Sequence, residues 1–314
     1  MEPVEARAAT QAGPSRARRE DFRATSDPAL QEEGKARVKL LDYDQLYNLW
    51  ERQQWATQDL DFSQDRIDWH ERIPPDERFQ RMYGLSSFFI GEQKVADELG
   101  PIMRAAPTEA QRIFLSTQIA DEARHVRFFD RFFSEVGILE DTEELRQRLE
   151  ALDRHLNEAF KTLFDELLRS RVDRLGSNPD DRDALVEAVT LYHMVIEGML
   201  ALTGQHFIID YNERMGTLPA FVEGFSNVAR DEHRHIAFGV RFLADCVNED
   251  ERYRGVIQEM LEESLPVADK VIDPPWPEEE DNPMFGATRE ETHAFAAQCL
   301  SRRLKVIGLV PAAA

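Results

Sequence analysis

The sequence predicts an all-α fold, with one helical domain built on a bundle. From residue 40 onward apolar residues recur at helical spacing, short Pro- and Gly-containing separators divide the long stretches, and no stretch alternates with the period of two that marks a strand. The domain is expected to cover residues 39–314. Residues 1–38 lack a sustained apolar period and are predicted to form a disordered or extended tail.

The predicted helices follow one another with short separators. Two prolines at 74 and 75 open a long helix expected to run to about Leu99, and Gly100-Pro101 and Pro107 separate it from a second helix that ends at Gly137. Leucines and phenylalanines at helical spacing predict a helical stretch from Glu140 to Leu175. Further helices are predicted over residues 181–212, 219–247, 251–271 and 288–307.

Charge and cysteine content exclude several classes of protein. The chain carries 38 Lys and Arg residues against 60 Asp and Glu residues, a net charge of -22. Such a field repels nucleic acid and anionic lipid, so neither is expected as a partner. Cys246 and Cys299 are too few for a disulfide framework, and we find neither a run of about 18 apolar residues nor a signal peptide. A cytoplasmic protein without integral membrane association is therefore predicted.

Two pentapeptides carry the chemistry. Residues 121–125 read Asp-Glu-Ala-Arg-His and residues 231–235 read Asp-Glu-His-Arg-His. In each, Glu and His lie three positions apart, so both side chains project from one helix face and can hold one metal ion. A bare Glu-x-x-His is weak evidence, because Glu290 and His293 form a third copy that we interpret as ordinary helix surface.

Each pentapeptide is preceded, one helix earlier, by a glutamate in an apolar stretch. These glutamates are Glu92 and Glu197. An unpaired carboxylate buried there would be costly, and a bound cation removes that cost. The set of six ligands on four helices is that of ferritin-like dimetal carboxylate proteins. Oxygen donors with some nitrogen suit iron or manganese, and a pair of such ions can activate dioxygen. The predicted ligands are Glu92, Glu122, His125, Glu197, Glu232 and His235.

Three neighbouring residues are candidates for supporting the ligands. Asp121 and Asp231 either accept a hydrogen bond from a ligand histidine or simply pair with an arginine three residues later, and both readings stay open. His193 lies four residues before Glu197, on the same helix face, and is either an extra ligand or a hydrogen-bond partner.

On these residues the chain resembles the ribonucleotide reductase small-subunit superfamily, which is ferritin-like, and within it the ligand-binding oxidases with a mixed Mn/Fe site. The residues that carry the resemblance are Gly91-Glu92-x-x-Val95, Glu122-x-x-His125, Tyr192 with the stretch from Glu197 to Gly204, Glu232-x-x-His235, and upstream the stretch from Asp61 to Arg66 with Asp68-Trp69. The resemblance implies a four-helix bundle core with additional helices, one Mn and one Fe or two Fe, Glu122 as a bridging ligand, and a homodimer. It also implies a bound long-chain fatty acid or similar hydrophobic ligand, and a covalent link between Val95 and Tyr192.

Helix geometry complicates that link. Tyr192 lies five residues before Glu197, about 140° away on an ideal helix, so a π-bulge is expected there. Gly198 and Gly204 either leave room for a ligand or allow close helix packing.

Three other functions compete with a dimetal oxidase. A ribonucleotide reductase small subunit would generate a radical, but Phe129 stands where such proteins usually have a tyrosine, and the last tyrosine of the sequence is Tyr253. A fatty-acyl desaturase-like oxygenase shares the ligand pattern. An iron store would favour a shorter chain. The predicted function is therefore a dimetal oxidase that uses dioxygen on a hydrophobic ligand.

Overall fold

The computed structural model describes residues 40–139, 142–273 and 283–309, and these form an all-α fold without a strand, as predicted. One isolated antiparallel β-bridge joins Met284 to Ala287. The predicted tail, residues 1–38, lies outside the described residues.

The described helices, joined where helical segments continue without a break, are α1 (Tyr43–Arg52), α2 (Ser63–Ile67 and Asp68–Arg72), α3 (Pro75–Ala105), α4 (Glu109–Val136), α5 (Leu145–Asp153), α6 (Glu158–Lys161, Thr162–Leu168 and Arg169–Ser177), α7 (Arg182–Val189, Thr190–Ala201 and Leu202–Met215), α8 (Pro219–Glu249), α9 (Tyr253–Ile272) and α10 (Arg289–Ile307).

Helices α3, α4, α7 and α8 form the bundle. Helix α3 packs along α4, and the middle of α7 packs against α8. The remaining helices surround this core, with α9 and α10 against α7 and α1 against α4 and α8. The four bundle helices are the ones that carry the predicted metal ligands, one glutamate or one Glu-x-x-His pair each.

Two predicted boundaries were wrong. Helix α3 does not end near Leu99 but continues through Pro101 to Ala105. Pro101 lies one turn before the helix end, and the burial of Leu99 and Ile102 outweighs the backbone hydrogen bond that proline cannot donate. The stretch predicted from 140 to 175 is two helices, because the Asn157 side chain accepts the N–H of Phe160 and starts α6 anew.

Helix α7 is the most apolar element. By length and composition, Arg182–Met215 is the one described helix that could cross a membrane, but 83% of its apolar window is buried inside the protein. This burial is the pattern of the core helix of a bundle.

Two aspartates of α2 hold the start of α8. The Asp65 carboxylate accepts the backbone N–H groups of Ala220 and Phe221 at 3.1 and 2.7 Å, and Asp68 accepts that of Leu218 at 2.8 Å. These N–H groups have no partner within the helix, and both aspartates are buried. Since α8 carries the second pentapeptide, α2 helps to position two of the six predicted ligands, Glu232 and His235.

We expect Asp65→Ala to lower the free energy of unfolding by about 1–2 kcal/mol, because it leaves two buried helix-terminal N–H groups without an acceptor. Urea denaturation of the metal-free protein, followed by circular dichroism, measures this loss. Asp180→Ala, at an exposed position, serves as the control and should have no measurable effect. Equal stabilities for both variants would contradict the capping role.

Candidate metal centre

The structure brings all six predicted ligands into one buried cluster. The potential ligand atoms fall into two groups, within each of which they lie no more than 4.8 Å apart. One group comprises Glu92, Glu122, His125 and Glu232, and the other Glu122, Glu197, Glu232 and His235. Glu122 and Glu232 belong to both groups. Two adjacent positions, each surrounded by three carboxylates and one imidazole, are therefore available for metal ions.

Both histidines turn the same ring nitrogen into the cluster. His125 Nδ1 lies 3.1 Å from Glu92 and 3.3 Å from Glu232, and His235 Nδ1 lies 3.3 Å from Glu122 and 3.4 Å from Glu197. Their Nε2 atoms point outward, to an aspartate. Since a carboxylate can only accept, each Nε2 carries the hydrogen, and in a neutral imidazole Nδ1 then has a free lone pair facing the cluster.

Several buried atoms of this cluster that could bind a metal ion make no hydrogen bond within the described part of the chain. They are one carboxylate oxygen each of Glu122, Glu197 and Glu232, together with His235 Nδ1. Buried polar atoms are normally paired, and leaving these atoms unpaired is costly. Hard oxygen donors with an imidazole nitrogen are ligands that suit iron and manganese. The residues present therefore fit a pair of such ions.

The electrostatics of the cluster point the same way. Burial raises the pKa of Glu92 and of Glu197 well above the usual carboxyl value. Burial alone lowers the pKa of His125 and His235, but the nearby charges of Glu92 and Glu232 respectively raise both well above the usual imidazole value. Without cations the cluster thus retains protons that bound metal ions would displace.

Asp121 and Asp231 connect the two pentapeptides crosswise. His125 Nε2 donates to Asp231 at 3.3 Å, and His235 Nε2 donates to Asp121 at 3.2 Å, so each aspartate supports the histidine of the other motif. The buried Arg234 guanidinium donates to both aspartates, at 2.9 and 2.6 Å. Each aspartate also contacts the arginine three residues later, Arg124 at 3.0 Å from Asp121 and Arg234 at 2.6 Å from Asp231. Although burial opposes it, the charge of Arg234 keeps the pKa of Asp231 far below its usual range.

Two tryptophans that the sequence analysis did not single out donate further hydrogen bonds to these two aspartates. Trp50 Nε1 donates to Asp121 at 3.0 Å, and Trp55 Nε1 donates to Asp231 at 2.7 Å. Both come from the end of α1 and the loop after it. Their spacing carries no periodic signal, so only the three-dimensional structure reveals them.

The middle of α7 is a π-helix, Thr190–Ala201, which confirms the expected departure from α-helical geometry. A π-helix bonds residue i to i+5, and this spacing brings Tyr192 round toward the face of Glu197. The Tyr192 hydroxyl donates to Glu122 at 3.0 Å. Burial and the glutamate charges raise its pKa well above the usual phenol value, so it stays protonated.

His193 is placed as a hydrogen-bond partner rather than in either group of potential ligands. Its Nε2 lies 3.2 Å from the Gln118 amide oxygen, and the amide nitrogen of Gln118 donates to Glu197 at 2.9 Å. Burial and the charge of His235 lower the pKa of His193 to about 3, so the ring is neutral and positions Gln118. Gln118 is another residue that the motifs did not indicate.

An apolar cavity of about 150 Å³ adjoins the carboxylates. Glu92, Glu122 and Val95 border it, and rings of Phe88, Phe160 and Phe164 form part of its walls. Val95 is buried.

The two glycines of α7 allow close packing. A Cβ at Gly204 would lie 2.6 Å from the Phe88 ring of α3, and one at Gly198 would lie 3.2 Å from the Arg303 side chain of α10. Gly204 also borders the cavity, so both readings apply to it.

Phe129 and His293 both lie outside the cluster. Phe129 is fully buried among other phenylalanine rings, with neighbours that include Phe89 and Phe225. His293, from the third Glu-x-x-His copy, lies at the surface. It contacts Asp269 of α9 and Asp273, the residue directly after α9. This copy therefore joins α10 to α9 and contributes nothing to the buried cluster.

Comparison with known proteins identifies a matching family and solved structures of similar fold. A profile of the family described as "Ribonucleotide reductase, small chain" matches residues 37–312. Among solved structures, an R2-like ligand-binding oxidase variant with an anaerobically reconstituted Mn/Fe cofactor is 26% identical, with a TM-score of 0.73 over 85% of this chain and 93% of that chain. A second variant, with a non-activated Mn/Mn cofactor, is 26% identical, with a TM-score of 0.74 and the same coverage. An oxidase with an aerobically reconstituted Mn/Fe cofactor is 25% identical, with a TM-score of 0.72 over 84% and 92%.

We expect Asp231→Ala to lower the free energy of unfolding of the metal-free protein by about 3 kcal/mol, because Arg234 stays buried with one carboxylate partner fewer. The control, Asp269→Ala, removes the surface pair with His293 and should cost less than about 1 kcal/mol. Urea denaturation of both variants makes the comparison. Equal losses would show that the buried pairing contributes no more than the surface one.

Proposed function

The chain belongs to the ribonucleotide reductase small-chain family, and on that premise we propose that it is a dimetal-carboxylate oxidase. It uses dioxygen as oxidant, with one Mn and one Fe, or two Fe, held by the six clustered side chains. The Mn/Fe and Mn/Mn cofactors of its solved relatives support the choice of metals. Ligand type alone does not separate manganese from iron, because both accept this donor set.

The observation that carries the proposal is the overlap of the two ligand groups. Glu122 and Glu232 belong to both, so each can bridge two ions, while Glu92 with His125 and Glu197 with His235 complete the separate positions. When bound, such a pair supplies Lewis acidity and electrons for reducing dioxygen. The unpaired carboxylate oxygens described above support bridging by glutamate.

The protein's own groups prepare this chemistry. Asp121 and Asp231 hold the two imidazoles in the tautomer that presents Nδ1 to the metals. The Tyr192 hydroxyl keeps a proton beside Glu122. Apolar walls around the cavity exclude water from the carboxylates and so protect reactive species from side reactions.

The cavity supports a hydrophobic ligand, for which a long-chain fatty acid is the proposed class. Its walls are mainly aromatic and aliphatic, while its inner end meets the glutamates. A ligand with a polar head near the metals and an apolar tail in the cavity would match both the glutamates and the apolar walls. The homodimer and the cytoplasmic location implied by the resemblance stay predictions.

The family also contains radical-generating subunits, which makes that function the second candidate. Phe129 argues against it, because a phenyl ring has no hydroxyl hydrogen to lose and cannot become a tyrosyl radical. An iron store has no use for an apolar cavity beside its site. A desaturase-like oxygenase would use the same metal pair and differs only in the reaction of the ligand.

Anaerobic loading with Mn and Fe should give two metal ions per chain by elemental analysis. Glu232→Ala and His125→Ala should each lower the content to about one ion or fewer, because Glu232 belongs to both ligand groups and His125 is the only imidazole of its group. Glu290→Ala, in the surface copy of the motif, is the matched control and should retain two. Metal should also raise the melting temperature, since it binds the folded state. Loss of metal in Glu290→Ala, with retention in the other two, would refute the assignment.

We expect oxygen exposure of the metal-loaded protein to join Val95 to Tyr192. Val95 lies one helical turn after Glu92 and borders the cavity, and the Tyr192 hydroxyl contacts Glu122. A bond forms between Val95 Cβ and the Tyr192 oxygen, one C–H and one O–H bond break, and two protons and two electrons pass to dioxygen. The joined peptides should therefore weigh two hydrogens less than their sum in peptide mass spectrometry.

Three controls define this result. Anaerobic protein and metal-free protein should give separate peptides, and Tyr192→Phe should abolish the link while keeping both metals. Separate peptides after repeated oxidation of fully loaded wild-type protein would exclude the link and leave the metal assignment intact.

A further inference from the structure

A tight turn at the outer side of the cavity holds a residue that its backbone disfavours. Met284 and Ala287 pair through two backbone hydrogen bonds, 3.0 and 3.1 Å long, and both central residues, Phe285 and Gly286, have positive φ angles of 50° and 71°. Turns with this geometry favour Asn, Asp or Gly at both central positions, because other side chains are strained there. Backbone strain of this kind is found where the side chain has a specific task.

The Phe285 ring fills a space that a glycine leaves open. A Cβ at Gly84 on α3 would lie 2.8 Å from the ring, so the ring fits in its present place because that position has no side chain. Tyr211 of α7 packs edge-on against the other part of the ring, with centroids 6.0 Å apart. Phe285 is 6% exposed. Its ring is therefore held between α3 and α7.

This ring borders the cavity at a distance from the carboxylates. Glu92 and Gly84 both border the cavity, and their separation of eight positions corresponds to about 12 Å along an α-helix. Since the ring packs on Gly84, it borders the apolar space about 12 Å along α3 from Glu92.

We propose that Phe285 is a specificity-determining residue that limits the length of the hydrophobic ligand, an inference that rests on the proposed function. A ligand with its polar head at the carboxylates has room for its tail only as far as the ring. Each methylene that fits should tighten binding about fourfold, because it is removed from water. A longer tail must displace a ring that the turn, Gly84 and Tyr211 hold in place, so affinity should fall beyond a defined length.

Ring size at position 285 provides the test. Phe285→Leu keeps an apolar side chain that supports folding but replaces the ring with a smaller group. Phe285→Trp replaces the ring with a larger one. Phe79→Ala changes an exposed phenylalanine of α3 outside the cavity and is the control. Each metal-loaded protein is titrated with saturated fatty acids from decanoate to eicosanoate, which displace a fluorescent fatty acid. Metal content and dioxygen consumption are measured separately on the same samples.

We expect the wild type and Phe79→Ala to share one preferred chain length, Phe285→Leu to prefer longer acids and Phe285→Trp shorter ones. For acids just beyond the wild-type limit, Phe285→Leu should bind about fourfold tighter per added methylene. An unchanged preferred length in both Phe285 variants would overturn this inference and leave the proposed oxidase untouched. A wild type that holds two metals and consumes dioxygen but binds no fatty acid would overturn both the proposed ligand class and the length limit.

Discussion

Placing four carboxylates and two imidazoles in the interior of a helical bundle is the constraint on which the rest of this structure depends. Such a cluster is unfavourable unless its charges are balanced and its polar atoms are paired. Within the described residues, bound protons and the hydrogen-bond donors around the cluster balance part of its negative charge. Several potential metal-ligand atoms still make no hydrogen bond. Arg234, itself buried, pairs with both supporting aspartates, so the charge balance extends one layer outward from the cluster. The N-terminal capping of α8 by α2 adds a positional constraint, because it fixes the start of the helix that carries Glu232 and His235.

Much of this arrangement could be predicted from the order of the residues. The all-α class and the six clustered side chains were predictable from the spacing of residues close together in the sequence. That spacing fixes which side chains share a helix face, so a Glu-x-x-His pair lies on one face of any helix. The same holds for the distinction between the two buried motifs and the surface copy at Glu290, since only the former have a glutamate in an apolar stretch one helix earlier. The extension of α3 beyond Pro101 was not predictable in this way, because burial of neighbours by other helices decided it.

Contacts between helices were the part that the sequence could not specify. That Asp121 supports His235, and not the histidine of its own motif, depends on how α4 and α8 are rotated toward each other. Trp50 reaches the site from a helix that carries no ligand, and Gln118, one helical turn before Glu122, contacts Glu197 on a different helix. The π segment was anticipated only because a specific pair of residues required it, and its length of twelve residues reflects packing of α7 against several helices at once.

The crosswise support of the histidines makes the two halves of the site nearly interchangeable. Each half has one motif glutamate, one histidine, one aspartate from the opposite helix and one tryptophan donor. An approximate twofold relation of this kind offers two ions almost the same surroundings. Any preference for different elements at the two positions must then come from what breaks the symmetry. Gln118 is one such group, because its amide nitrogen donates to Glu197, whereas no amide of the described side chains donates to Glu92. A neutral amide outside the ligand set would thus make the surroundings of the two ions differ.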